Sequence, residues 1–70
     1  MAVLRIGSTG TEVEKAQEQL KALGFDPGTI DGIFGANTET AVIAFQQAKG
    51  ISPDGEIGPI TGGHLQPGGI

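Results

Sequence analysis

Few side chains of this 70-residue chain could act as nucleophiles, bases or metal ligands, and they are scattered along the sequence. His64 is its single histidine and there is no cysteine, so neither a two-histidine nor a cysteine-based zinc site can form. Ser8 and Ser52 lack a histidine in motif context, which a hydroxyl nucleophile needs as its base. We therefore expect His64 to be an exposed surface residue and expect no catalytic serine.

Eight carboxylates remain as candidates for metal binding or acid–base catalysis. A calcium-binding loop starting at Asp26 is excluded, because its third and fifth positions, Gly28 and Ile30, have no side-chain oxygen. A loop starting at Asp31 is excluded for the same reason. Glycoside hydrolysis needs two acids across a cleft, and a domain this small leaves little room for a closed pocket. The sequence therefore predicts no metal, no cofactor and no enzymatic activity.

Charge and hydropathy limit the kinds of molecule that this chain could bind. The formal net charge of −4 and a pI near 4.5 disfavour binding to the phosphate backbone of nucleic acids. The longest apolar run covers only residues 41–45, far short of a membrane span. Residues 1–10 show no basic segment followed by an apolar one, so no signal peptide is predicted. We expect neither nucleic-acid binding nor membrane insertion.

One motif occurs twice, with the pattern Asp-Gly-x-apolar-Gly-x-x-Thr over residues 31–38 and 54–61. Aspartate accepts hydrogen bonds from nearby amides and glycine tolerates positive φ, so Asp-Gly predicts a turn. The second glycine is predicted to be a helix N-cap. The threonine three residues later is predicted to reach back to the cap amide, as in a weak capping box. Each copy thus predicts a turn that leads into a helix.

The elements around these turns are helices. The first helix is predicted from a stripe at helical spacing, formed by Val13, Ala16, Gln17, Leu20 and Leu23. Thr11 and Glu14 fit a capping box, with Gly10 as the competing N-cap, and Gly24 is the predicted stop. Residues 24–35 predict an ordered Gly/Pro-rich loop. Its apolar side chains are expected to fill the core, namely Phe25, Ile30, Ile33 and Phe34.

A second helix is predicted from about Ala36 to Ala48 and is closed by Gly50. Its inner stripe is expected to consist of Thr38, Ala41, Val42 and Phe45. A short third helix is predicted to begin at Pro59, and two glycines weaken it. The fold class is therefore all-α, a compact three-helix bundle. Residues 1–65 are expected to form one domain, and residues 66–70 a C-terminal tail or linker.

These segments resemble a peptidoglycan-binding domain of the bacterial cell-wall hydrolase type over residues 4–65. The first part of that family's pattern is matched by Gly7, Gly10, Val13, Gln17, Leu20, Leu23 and Gly24. The second is matched by Asp31, Gly32, Phe34, Gly35, Thr38, Ala41, Val42, Phe45 and Gln46. The third is matched by Asp54, Gly55, Gly58, Pro59, Thr61 and Leu65. Ala16 stands where the family usually has Leu, and Gly62 where it usually has Trp.

The resemblance implies a non-catalytic module that binds peptidoglycan or a muropeptide and anchors a fused or partner hydrolase. It implies a monomer that works in the cell envelope or is secreted. The expected site is a shallow groove beside the repeated turn and the start of the second helix, formed by Asp31, Asn37, Thr38, Glu39 and Thr61. Capping is the alternative role for the two threonines. No Trp or Tyr is present to stack on a sugar, so recognition of the peptide stem is expected. The alternative function is a structural or protein–protein interaction module with no wall binding.

Overall fold

The structure is a computed structural model, and it describes residues 3–65. These residues form three helices. They are α1 at Thr11–Ala22, α2 at Ala36–Lys49 and α3 at Pro59–Leu65. Extended pairing within residues 3–65 consists of two isolated antiparallel bridges. The predicted three-helix architecture is confirmed, with α2 one residue longer than expected. The tail or linker predicted for residues 66–70 lies outside the described residues.

Glycines in the left-handed region end both long helices. Gly24 follows α1 with φ of 95°, and Gly50 follows α2 with φ of 72°. In each case the next N–H donates to the carbonyl five residues earlier, at 2.8 Å after α1 and 3.0 Å after α2. This is the Schellman arrangement, which satisfies carbonyls that the last helical turn leaves free. Both predicted stops are confirmed.

Helix starts also depend on glycine. Gly10 and Gly35 are the N-caps of α1 and α2, and neither helix has a side-chain cap. The predicted capping box at Thr11 is therefore wrong, and its alternative, Gly10, is confirmed. The predicted capping by Thr38 and Thr61 is also wrong, because within residues 3–65 their hydroxyls bond elsewhere. Pro59 begins α3 as predicted.

The core lies where the three helices meet the turns. Its members are at most 6% exposed, and they are Val13, Ala16, Leu20, Phe34, Ala41, Val42, Phe45, Ile57 and Leu65. Phe25 packs on this cluster, and its ring meets that of Phe45 edge to face with centroids 5.6 Å apart. The inner stripes of α1 and α2 are thereby confirmed, except at the C-terminal end of α1.

Two apolar side chains predicted to be internal face solvent. Leu23 is 42% exposed, because it lies just past the end of α1 at the C-cap position. Ile33 is 56% exposed, because it pairs with Thr9 in an antiparallel bridge. In extended backbone successive side chains point to opposite faces, so burial of Phe34 turns Ile33 outward.

Residues 4–10, here called the N-terminal strap, join the two motif copies. Leu4 and Ile57 exchange backbone hydrogen bonds of 3.1 and 2.8 Å. At the other end of the strap, the Phe34 N–H donates to the Ser8 carbonyl at 2.9 Å. The turns that precede α2 and α3 are therefore both fixed to one segment of chain.

Candidate functional site

A buried glutamine of α1 holds the first Asp-Gly turn. The Gln17 Nε2 donates to the carbonyl of Ile33 and to the hydroxyl oxygen of Thr38, both at 3.0 Å, and to Asp31 Oδ1 at 3.4 Å. Its Oε1 accepts the N–H of Gly32 at 2.9 Å and that of Asp31 at 3.2 Å. A buried amide needs such partners for both its ends, and here every partner belongs to one motif copy.

A glutamine of α2 does the same for the second turn. The Gln46 Nε2 donates to Asp54 Oδ1 at 2.8 Å, to the Glu56 carbonyl at 2.9 Å and to the Thr61 hydroxyl oxygen at 3.0 Å. Its Oε1 accepts the Gly55 N–H at 3.0 Å. The two motif copies thus have matching hydrogen-bond partners, each supplied by the helix before it.

The aspartates close the turns from inside. Asp31 Oδ1 accepts the N–H of Ile33, and Asp54 Oδ1 accepts that of Glu56, both at 2.9 Å. The following glycines have φ of 75° and 76°, which confirms the predicted turn chemistry. The Glu56 N–H, and next the Gln46 amide, lower the pKa of Asp54 below its usual value, because both stabilise the carboxylate.

The five predicted binding residues occupy three settings. Asp31, Asn37 and Thr38 line one groove of about 240 Å³, here called the turn groove. Its other lining residues are Pro27, Thr29, Ile33, Gly35 and Ala36. Thr61 lines a groove of about 210 Å³ at the second turn, with Asp54 and Ile60, here called the second groove. Glu39 packs over Gly55, where an added Cβ would lie 3.0 Å from Glu39 Cγ.

Exposure separates these residues further. Thr38 and Thr61 are 2% and 6% exposed, and their hydroxyls bond to the glutamine amides, with Thr38 also donating to the Pro27 carbonyl at 3.4 Å. Asp31 and Asn37 are exposed. The threonines therefore shape the grooves from inside, whereas the Asp31 carboxylate, the Asn37 amide and the Thr29 hydroxyl are exposed on the turn groove.

The hydrogen bonding of Gln17 and Gln46 to the two Asp-Gly turns was not predicted from the sequence. The available signal was Gln17 on a stripe otherwise made of apolar side chains. A polar residue at such a position must find partners in the interior. The repeated aspartates and threonines supplied candidates for those partners.

A further groove, of about 360 Å³, lies between α1 and α3. Apolar side chains line it, among them Leu4, Ile57 and Leu65, with Glu12 and Lys15 also on its lining. None of the predicted binding residues is there. His64 is exposed on α3, as expected, and residues 3–65 contain no group of three side chains placed to hold a metal ion. None of the described helices is long and apolar enough to span a bilayer.

Comparison with known proteins identifies the class of domain and then its family. The class is a small three-helix domain shared with the N-terminal domain of SleB, which superimposes with a TM-score of 0.89 at 38% identity, covering 91% of this chain and 88% of that one. Residues 9–65 match the family described as "Putative peptidoglycan binding domain", and the chain belongs to this family.

Curated relatives are longer proteins. A spore cortex-lytic enzyme of Halalkalibacterium halodurans is 40% identical over 57 residues, which are 81% of this chain and 17% of that protein. The N-acetylmuramoyl-L-alanine amidase CwlM of Mycobacterium tuberculosis is 40% identical over 52 residues, 74% of this chain and 13% of the amidase. The chain therefore spans less than a fifth of the length of these two relatives.

Proposed function

We propose that this chain is a non-catalytic peptidoglycan-binding module that anchors a hydrolase or another envelope protein at the cell wall. The observation that carries the proposal is membership of the peptidoglycan-binding family over residues 9–65. The similar proteins named above include a spore cortex-lytic enzyme and an amidase, which supports a location in the envelope or outside the cell. The module acts as a monomer.

Its action is tethering. A bound module raises the concentration of an attached enzyme near its polymeric substrate without adding any chemistry of its own. The matched segment is a small part of each relative named above, so we assign this chain to binding and the reaction to other parts of such proteins.

The turn groove is the proposed contact surface. Asp31 and Asn37 provide an exposed acceptor and an exposed donor–acceptor group, while Ile33 and Ala36 provide exposed apolar surface. This mixture suits a short peptide, whose backbone amides need polar partners and whose side chains need apolar contact. The chain has no Trp or Tyr to stack on a sugar face, so the peptide stem is the proposed ligand.

Co-sedimentation with purified insoluble peptidoglycan tests the function. The protein is expected to pellet with the polymer, and soluble muropeptides are expected to shift the amide resonances of residues 29–38. Asn37→Ala should weaken binding and leave the thermal unfolding midpoint nearly unchanged, because the side chain is exposed. Thr40→Ala is the matched control, since Thr40 is exposed on α2 and bonds only to the Ala36 carbonyl within residues 3–65.

Absence of pelleting at tens of micromolar protein, together with absence of localised shifts, would overturn the wall-binding proposal. The same scaffold would then be assigned to structural or protein–protein interaction. Equal weakening by the Asn37 and Thr40 variants would remove the turn groove from the proposal and leave wall binding in place.

A further inference from the structure

The turn groove contains the Asp31 carboxylate, and only one of its two oxygens is hydrogen-bonded within residues 3–65. Asp31 Oδ1 accepts the Ile33 N–H and the Gln17 amide, whereas Oδ2 accepts no hydrogen bond from residues 3–65. The ion pair within this part of the chain joins Arg5 to Glu56, and Asp31 takes part in none. A negative charge with a free oxygen therefore lies at the edge of a groove, on an exposed residue.

Around that oxygen the groove is small and mixed in character. Asn37 adds an exposed amide and Thr29 an exposed hydroxyl, while Ile33 and Ala36 supply apolar surface. A volume of about 240 Å³ is large enough for the end of one side chain but not for a sugar with its peptide. The first turn of α2, which has no side-chain cap, brings donor N–H groups to one side of the groove, so a cation is held on the opposite side, by the Asp31 carboxylate.

We infer that the turn groove binds a primary ammonium group through Asp31, with Asn37 as its second polar contact. The inference rests on the proposed function and names the part of the polymer that is recognised. Stem peptides of peptidoglycan contain a diamino acid, and its side-chain amine is free wherever the stem is not cross-linked. An ammonium group donates three hydrogen bonds, which matches the carboxylate and the amide oxygen.

The second groove serves as an internal comparison. Asp54 occupies the position that corresponds to Asp31, and it bonds to Gln46 and Glu56 in the same way. Ser52 gives the second groove an exposed hydroxyl, as Thr29 does in the turn groove. The difference is at the position of Asn37, where the second groove has Ile60, which is 70% exposed. An apolar side chain there provides no hydrogen bond to compensate the desolvation of a charged group. The ammonium site is therefore assigned to the first turn alone.

The test compares untreated insoluble peptidoglycan with peptidoglycan whose free amines have been acetylated with acetic anhydride. Acetylation should weaken binding of the unchanged protein about two- to fivefold, as expected for one exposed charge pair. Asp31→Asn should weaken binding to the untreated polymer by a similar factor and make binding insensitive to acetylation. Asparagine retains an acceptor for the Ile33 N–H, so the turn is preserved.

Asp54→Asn is the matched control, since both variants change the net charge from −4 to −3. Its binding should remain sensitive to acetylation. If the unchanged protein binds both polymers equally, the ammonium site is wrong and the proposed function stands. If the two variants lose sensitivity together, the effect is one of overall charge and the site is also wrong. Failure to bind either polymer would overturn the proposed function itself.

Discussion

The side-chain amide of Gln46 donates to the hydroxyl oxygen of Thr61 at 3.0 Å, and this bond joins α2 to the first turn of α3. The helix it reaches has seven residues, two of which are glycine. Such a helix is far too short to be stable by propensity alone. Attachment to α2, together with burial of Leu65, therefore accounts for its presence.

Replacement of Gln46 by leucine should destabilise the domain by about 3 kcal/mol. The apolar side chain would leave the Gly55 N–H, the Glu56 carbonyl and the Thr61 hydroxyl without their partner, and a buried polar group left unpaired costs about 1–3 kcal/mol. Urea unfolding followed by circular dichroism measures this. The adjacent Gln47→Leu is the control, because Gln47 is exposed, and it should change stability by less than about 0.5 kcal/mol. Equal losses in the two variants would contradict the role assigned to Gln46.

Acid should weaken the second turn through Asp54. The hydrogen bonds from Glu56 and Gln46 lower the pKa of Asp54 in the folded chain below its usual value of 3.8. A carboxyl whose pKa is lower when folded stabilises the protein above its unfolded pKa, and that contribution is lost as pH falls through the folded pKa. We expect Asp54→Asn to be less stable than the unchanged chain at pH 7, with the difference shrinking below about pH 4. The thermal unfolding midpoints of both proteins, measured between pH 2 and 7 at constant ionic strength, would show this shrinking difference. A difference that stays constant with pH would contradict this account.

Two glycines seven residues apart should respond to alanine in opposite directions. At Gly62, inside α3, an added Cβ would meet Ile57 Cγ2 at an ordinary 3.8 Å, so alanine should stabilise the domain by about 0.5–1 kcal/mol. At Gly55, φ is 76° and an added Cβ would lie 3.0 Å from Glu39 Cγ, so alanine should destabilise by more than about 1 kcal/mol. The unfolding midpoints of both variants, compared with that of the unchanged chain, would test these two opposite expectations. Stabilisation at Gly55 would rule out the strained turn.

The helices and their glycine ends could be predicted from the sequence because each depends on local spacing and local backbone chemistry. The inner stripe of α1 and the Asp-Gly turns belong to this group. The roles of Thr38 and Thr61 could not be predicted in the same way. Three residues after a glycine N-cap, a threonine fits local capping, and only tertiary packing places Gln17 and Gln46 close enough to take the hydroxyls instead.

The exposure of Ile33 has a similar origin. Its neighbour Phe34 is also apolar, and the sequence does not say which of two adjacent apolar residues in an extended segment points inward. The bridge between Ile33 and Thr9, a pairing across 24 residues, makes that choice. Long-range pairing likewise separates the predicted site residues, since Glu39 packs on the second turn and Thr61 lines the second groove.

The substitution Phe45→Ala should unfold a large fraction of the molecules of this small domain. Phe45 is fully buried, its ring contacts that of Phe25 edge to face, and Lys49 lies 5.9 Å from its ring centre. Emptying a buried aromatic site costs about 3–5 kcal/mol, a large fraction of the stability that one small core supplies. Ile60→Ala is the control, because Ile60 is 70% exposed, and it should leave the midpoint nearly unchanged. Amide hydrogen exchange would locate the effect: if Phe45→Ala kept native protection in α1 and α2, the core described here would not be what holds those helices together.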